Sequence, residues 1–277
     1  MQVRPEDPHH QQLVDRYFET STPFWEAIYE RRDLHSSIYQ ERKEVVLAMI
    51  GDLTLLRDSQ VLEVGCGAGI TAVSLAERYR VEALDALPAM LDLTRQRADS
   101  AGFGHRLQTR LGDANDLPYD DGAFDLTLAI GVLPWVRNIS RALGELVRVV
   151  RPGGFLVVSI DNSWALQRVL DPLLNPLFRP IKQACRDGVW ALGMGKPQAR
   201  EETCGPRRLT RLLARSGLTT ISGKTVGFGP FSLFGHPILP DSFALGVHRK
   251  LQSCADRNWP LFGWVGSHYV VCVRKQA

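Results

Sequence analysis

Cysteine is scarce in this chain and poorly arranged for any role that needs several of them. The 277 residues hold 5 cysteines, Cys66, Cys185, Cys204, Cys254 and Cys272, an odd number, widely scattered, with no CxxC pair and no histidine at metal-ligand spacing. Neither a disulfide framework nor a zinc site is therefore expected. An excess of one charge is also lacking: 33 Lys and Arg stand against 30 Asp and Glu, a net charge of +3. Arg207, Arg208, Arg211 and Arg215 do cluster, but their spacing is that of the wet face of a helix rather than a nucleic-acid stripe, so no nucleic-acid partner is expected. No apolar run approaches the length that spans a bilayer, and the first residues, MQVRPEDPHHQQLVDRYFE, are polar and lack an apolar signal core. The expectation is a cytoplasmic protein without a transmembrane segment. There is no internal repeat or low-complexity tract, and the adjacent His9 and His10 are not expected to hold a metal.

The chain does have enough apolar material for a substantial core, 44% of its residues, at a length that fits one elaborated domain. Three parts can be read along it. Residues 1–50 form a helical N-terminal cap, with helices over 11–18, 23–31 and 37–50 and Ser36 or Ser37 as an N-cap. Residues 51–162 alternate strand and helix, with strands near 60–64, 81–85, 106–111, 124–130 and 154–160, which is the pattern of a doubly wound parallel sheet. Residues 163–277 are less regular. They supply a lid segment, a helix at 206–216, a strand near 218–227, a helix at 241–257 and a last strand from His268 to Arg274.

The densest information lies in Val61-Leu62-Glu63-Val64-Gly65-Cys66-Gly67-Ala68-Gly69, where a β-branched strand carrying one acid runs into three glycines spaced two apart. Ile70 to Tyr79 then has helical spacing. Such glycines let the backbone turn sharply and a ligand approach it closely. The dinucleotide fingerprint is GxGxxG, and here the third glycine comes one residue early, with Ile70 in its place. Glu63, two residues before Gly65, is a poor neighbour for a pyrophosphate and a good one for an ammonium group. A cationic, phosphate-free nucleoside fits this loop better than NAD. About twenty residues on, the strand Val81 to Asp85 ends in a carboxylate placed for ribose hydroxyls.

With two further stretches, Leu111 to Val136 (LGDANDLPYDDGAFDLTLAIGVLPWV) and Arg141 to Asn162 (RALGELVRVVRPGGFLVVSIDN), the chain resembles the class I S-adenosylmethionine-dependent methyltransferases, in their small-molecule group, over roughly residues 37–162. The resemblance implies a Rossmann-like doubly wound seven-stranded sheet, mostly parallel with an antiparallel last strand, the 228–266 segment being an insertion between strands six and seven. It implies S-adenosyl-L-methionine as cofactor and S-adenosyl-L-homocysteine as product. Carried onto this chain, Glu63, Gly65, Cys66, Gly67 and Gly69 line the methionine half, Asp85 takes the ribose, and Ala86 and Met90 lie beside the adenine. Asp113 and Ala114 hold the adenine edge, while Ile130 and Gly131 lie under the sulfonium with Trp135 beyond. Asp113 as the start of a turn and Trp135 as plain core are the competing readings.

Ligands of open α/β sheets lie outside the carboxyl ends of the strands, which points the acceptor to three segments. The cap carries Tyr17, Phe18, Phe24, Trp25, Tyr29 and Tyr39, an aromatic cover whose faces attract a sulfonium; helix-to-sheet glue is the alternative. Tyr17, Trp25, Tyr29, Tyr39 and Trp164 are the expected acceptor contacts. The 163–200 segment is Leu-rich, and prolines at 172, 176 and 180 forbid one continuous helix. It reads as a lid over an apolar acceptor, with Gly188, Gly193 and Gly195 as flexible points, or else as a homodimer contact or simple packing. Candidate general bases are His35, Asp161 and His236, each with an ordinary structural alternative, and no acidic trio for a metal-assisted reaction follows the fourth strand. The expected activity is methyl transfer to an O, N or C nucleophile of a small apolar acceptor. A non-catalytic module binding the same cofactor for a partner or regulator is the rival.

Overall fold

A computed structural model of the chain describes residues 10–29, 31–178, 180–184 and 203–276. Two helices open it, α1 (His10–Ala27) and α2 (Leu34–Gly51). The break expected before Pro23 is absent, and α1 runs through it. A proline here leaves the carbonyl of Glu19 without its helical donor. The hydroxyl of Thr22 stands in, lying 3.1 Å from Glu19 O and 3.0 Å from Phe18 O. α2 also starts earlier than Ser36 or Ser37 would set it, because the Asp33 carboxylate accepts the Ser36 N–H at 2.9 Å and acts as the N-cap.

The alternating region follows as β1 (Gln60–Val64), α3 (Ile70–Ala76), β2 (Arg80–Asp85), α4 (Pro88–Ser100), β3 (Leu107–Leu111), β4 (Phe124–Ala129), α5 (Ile139–Val149) and β5 (Val150–Asp161). Beyond it come α6 (Leu166–Leu170), a 3-10 turn at Pro176–Phe178, α7 (Pro206–Arg215), β6 (Leu218–Val226), the two-residue strands β7 (Ser232–Leu233) and β8 (His236–Pro237), α8 (Asp241–Asp256) and β9 (His268–Lys275). The main sheet has seven strands in the order β3-β2-β1-β4-β5-β9-β6. β1 to β5 run parallel, and β9 is antiparallel to both β5 and β6. The doubly wound sheet with a reversed last strand is thus present, and β7, β8 and α8 form the insertion between β6 and β9.

Helices cover both faces of the sheet, and the two-residue period decides which side chains meet which layer. Val61, Leu126, Leu128, Phe155, Val157, Val270 and Cys272 pack with Val45, Val46, Ala72 and Leu91 on one side. Leu62, Leu156, Val158, Val271 and Val273 pack with Leu143, Leu146, Leu209 and Leu213 on the other. By the same alternation Glu63, Ser159, Asp161 and His268 share the α2 face at the carboxyl edge. Three strands, β1, β5 and β9, therefore bring polar groups to one place beneath the N-terminal cap.

After β5 the chain breaks where its prolines stand. Pro172 follows α6, and Pro176 opens the 3-10 turn. Asp171 joins this segment to the β7–β8 hairpin, its Oδ2 accepting from Ser232 Oγ at 2.6 Å and Gly235 N at 2.9 Å. The rest of the expected lid, Gly188, Gly193 and Gly195 included, lies outside the described residues. Among the described residues no helix is long and apolar enough to cross a membrane.

Candidate functional site

A cavity of about 570 Å³ opens at the carboxyl edge of the sheet, between the ends of β1, β2, β4, β5 and β9 and the two cap helices. That volume lies within the ordinary range for a small-molecule site. Glu63, Gly65, Cys66, Gly67, Asp85, Ala86, Met90, Asp113, Ala114, Ile130, Gly131 and Trp135 all line it. Gly69 does not, and its part is local. It holds φ +74° as the N-cap of α3, and a Cβ there would lie 2.6 Å from Thr94 Oγ1. Only glycine lets α3 start against α4 in this way.

The strand–loop–helix order sets the charges of one half of the cavity. Glu63 is 4% exposed at the second-last position of β1, and its Oε2 has no hydrogen-bond partner. Burial pushes its carboxyl up to about 8; a hydrogen bond from the Ala72 backbone opposes the rise and the charge of Asp85 adds to it. Asp85, at the end of β2, accepts Gly67 N–H on Oδ2 at 2.9 Å and Leu87 N–H on Oδ1 at 3.0 Å, tying the glycine loop to the second strand. Burial raises its pKa as well, against those hydrogen bonds.

A cation faces the same space. Arg42 of α2 is 6% exposed, its Nε is without a hydrogen-bond partner, and its guanidinium lies 4.4 Å from the Tyr39 ring centroid. It packs so close to Gly131, where φ is +76°, that a Cβ on that residue would be 3.1 Å from Nη1. No motif in the sequence marks Arg42. The available signal was its place on a helical stripe with Ile38, Val45 and Met49, all buried, where an apolar residue is the rule. Glu63 Oε2 and Arg42 Nε, both buried without a hydrogen-bond partner on residues lining one cavity, complement the ammonium and carboxylate of an α-amino acid. The residues present thus fit the methionine end of the nucleoside suggested by the glycine loop.

Asp113 performs the turn role and lines the cavity too. Burial pushes its carboxyl up, but hydrogen bonds from Asn115 N at 2.8 Å and Nδ2 at 2.9 Å and the Arg137 guanidinium at 3.0 Å hold it below the ordinary carboxylate range. Gly131 N donates to Ser159 Oγ at 2.8 Å, which fixes the end of β4 against β5. Trp135 stacks on Tyr17 at 5.1 Å between centroids and meets Phe18 edge-on at 5.1 Å. It is part of an aromatic wall rather than of the sheet core.

The other half of the cavity lies over β5 and β9. Tyr17, Trp25, Tyr29, Tyr39, His35 and Asp161 all line the cavity. His35 is stacked on Tyr39 at 5.9 Å, and burial pushes its imidazole below the ordinary range, with Asp33 opposing. Asp161 is not a turn cap: its Oδ1 lies 2.8 Å from His268 Nδ1, its cross-strand partner. The turn is capped instead by Asn162, whose Oδ1 accepts Trp164 N–H at 3.0 Å. Trp164 is 48% exposed and outside the lining, and His236 is exposed in β8 and also outside it. His268, Gln167 and Ser267 line the cavity and were not singled out from sequence. A histidine opening a strand gives no periodic signal, and its meeting with Asp161 depends on the antiparallel register of β9 on β5. Among the described residues no group of His, Cys, Asp and Glu could hold a metal ion.

A family model described as a methyltransferase domain matches residues 62–158. The malonyl-[acyl-carrier protein] O-methyltransferase of Serratia marcescens is 40% identical over 113 residues, 40% of this chain and 42% of that protein. The ajmaline N-methyltransferase of Rauvolfia serpentina is 31% identical over 100 residues, 35% of this chain and 34% of that protein. The chain therefore spans well under half the length of these curated relatives. Among solved structures, the [4+2]-cyclase SpnF matches with a TM-score of 0.65 and 20% identity, covering 99% of this chain and 98% of that one. Magnesium protoporphyrin IX methyltransferase from Synechocystis PCC 6803, with bound SAH, matches with a TM-score of 0.63 and 14% identity over 96% of this chain and all of that one, 100%. At these identities the two structures speak for the fold alone.

Proposed function

We propose that this chain, whose residues 62–158 match a methyltransferase domain, is a class I S-adenosylmethionine-dependent methyltransferase that moves a methyl group from S-adenosyl-L-methionine to a nucleophilic atom of a small, largely apolar acceptor. The observation that carries the reading is the pair of buried ionisable side chains, Glu63 and Arg42, whose Oε2 and Nε have no hydrogen-bond partner, in a cavity that also holds Asp85. Glu63 would take the ammonium, Arg42 the carboxylate and Asp85 the ribose hydroxyls. Ala86, Met90, Asp113 and Ala114 would border the adenine, and Ile130 and Gly131 the sulfur. When bound, this group supplies a methyl on a positively charged sulfur, ready for in-line displacement.

The residues of the chain then have three tasks. The glycine loop and Asp85 hold the nucleoside end rigidly, which converts a bimolecular step into a positioned one. The aromatic wall of Tyr17, Phe18, Trp25, Tyr39 and Trp135 excludes water and presents π faces to positive charge. The space over β5 and β9 receives the acceptor. The same fold houses a cyclase, so architecture alone does not decide turnover.

Titration calorimetry with S-adenosylhomocysteine, with NADH as comparison, tests the reading. Binding of the first and none of the second is the expected outcome. Folded protein that binds no S-adenosylhomocysteine at high micromolar concentration overturns it.

A further inference from the structure

We propose that His268, oriented by Asp161, is the proton acceptor for an acidic hydroxyl on a planar aromatic acceptor, with Gln167 Oε1 as a second contact to that molecule. The proposal rests on the function stated above and specifies the acceptor half of the same cavity. An ionised carboxylate only accepts, so in the 2.8 Å contact between His268 Nδ1 and Asp161 Oδ1 the imidazole donates. That contact selects the tautomer with its proton on Nδ1. Nε2 keeps its lone pair, and His268 lines the cavity while being only 8% exposed.

Gln167 is fixed in the same manner. The single hydroxyl proton of Ser267 goes to Gly229 O at 2.9 Å, so Ser267 Oγ accepts from Gln167 Nε2 at 2.8 Å. The amide therefore turns its oxygen away from Ser267. Oε1 is buried without a hydrogen-bond partner on a residue 7% exposed that lines the cavity. An orphan acceptor of this kind costs free energy until a ligand donor reaches it.

The surrounding groups select the class of acceptor. Around His268 stand Asp161 from β5, Tyr39 of α2 at 5.6 Å between ring centroids, His35 of the same helix, and Arg168 of α6 in the cavity wall. His35, Tyr39 and His268 form a row of flat rings, and Trp25 meets Tyr39 edge-on at 5.6 Å. Flat apolar walls suit a flat molecule. An imidazole can usefully take a proton from a phenol or enol, whose acidity is within reach of it, but not from an aliphatic alcohol. In the step itself the acceptor O–H bond breaks and its proton passes to Nε2. The oxygen keeps the electron pair and places it on the methyl carbon, while the pair of the broken carbon–sulfur bond stays on sulfur. Imidazolium then returns the proton to solvent.

The test uses the full chain saturated with S-adenosylhomocysteine and 4-nitrophenol as probe, because only the ionised form of that phenol is yellow. Binding shifts the ionisation of the probe to lower pH in the wild-type protein. His268→Gln keeps a donor for Asp161 and lacks a base, so the probe still binds but as the neutral phenol. Asp161→Asn moves the ionisation midpoint back up by about one pH unit, the ordinary effect of a lost neighbouring charge. Both variants keep S-adenosylhomocysteine affinity within about threefold, since neither residue is placed at the cofactor. A probe that fails to bind, or that ionises equally in wild type and His268→Gln, overturns the proposal and leaves the cofactor reading intact. Failure of S-adenosylhomocysteine itself to bind removes the underlying reading instead.

Discussion

Cofactor affinity should fall steeply as pH drops from 8 to 6, and Glu63 is the reason. In the ligand-free protein its carboxyl is pushed up to about 8, with burial as the largest cause. At pH 7 it is then about nine-tenths protonated. An ammonium group needs the carboxylate, so binding must remove that proton. Linkage gives the size: each pH unit below 8 weakens the apparent affinity about tenfold, or about 1.4 kcal/mol, until the lower pKa of the bound state is reached. The sign follows from the ligand favouring the deprotonated form, whose fraction shrinks as pH falls. Calorimetry with S-adenosylhomocysteine at pH 6, 7 and 8, in buffers of different ionisation enthalpy, reads both the affinity and the proton released. About one proton should leave per ligand bound near pH 6.5. Glu63→Gln should abolish the slope and weaken binding at pH 8 by about 1.5 to 3 kcal/mol, the usual worth of a hydrogen bond to a charged group. A flat affinity between pH 6 and 8 with no proton release would refute the assignment of Glu63. Because the folded-state pKa lies above the reference value of 4.5, the ligand-free protein loses stability as pH rises from that value through 8. Glu63→Gln should therefore raise the unfolding midpoint at pH 8 more than at pH 5.

Three further perturbations follow. Arg42→Ala should lower S-adenosylhomocysteine affinity by about 1.5 to 3 kcal/mol through loss of a charge-assisted contact, and adenosine, which has no carboxylate, should bind the variant and wild type alike. Gly69→Ala places a Cβ 2.6 Å from Thr94 Oγ1 at φ +74°, and a cost of about 1 to 3 kcal/mol should appear in urea unfolding. Asn162→Ala removes the Nδ2 donor to Trp264 O at 2.7 Å and Gly266 O at 2.9 Å. Leaving those carbonyls unmet should cost about 1 to 3 kcal/mol in chemical unfolding with no change in cofactor affinity.

The legible parts of this chain were those whose physics is local. β1 shows its buried run and its glycine stop in nine consecutive residues, and Asp85 follows at the spacing that a strand, a helix and a strand require. Pro23 misled because the compensation is a side-chain hydroxyl one residue earlier, which a breaker rule does not count. Asp33 was passed over for the serines beside it, although its carboxylate is the one that reaches the Ser36 N–H. The acceptor half was hidden for a different reason. His268 and Asp161 are 107 residues apart and meet only through the register of β9 on β5. Arg42 shows the same limit: its stripe on α2 was readable, but the cavity it faces is built by other strands.

The central claim is that the amino-acid end of S-adenosylmethionine lies between Glu63 and Arg42 over the ends of β1 and β4. A crystal structure of the complex with S-adenosylhomocysteine measures this directly. The account predicts the ammonium within hydrogen-bond distance of Glu63 Oε2, the carboxylate at the Arg42 guanidinium and the ribose hydroxyls at Asp85. A ligand bound in the reverse sense, with its adenine against Glu63, would contradict it.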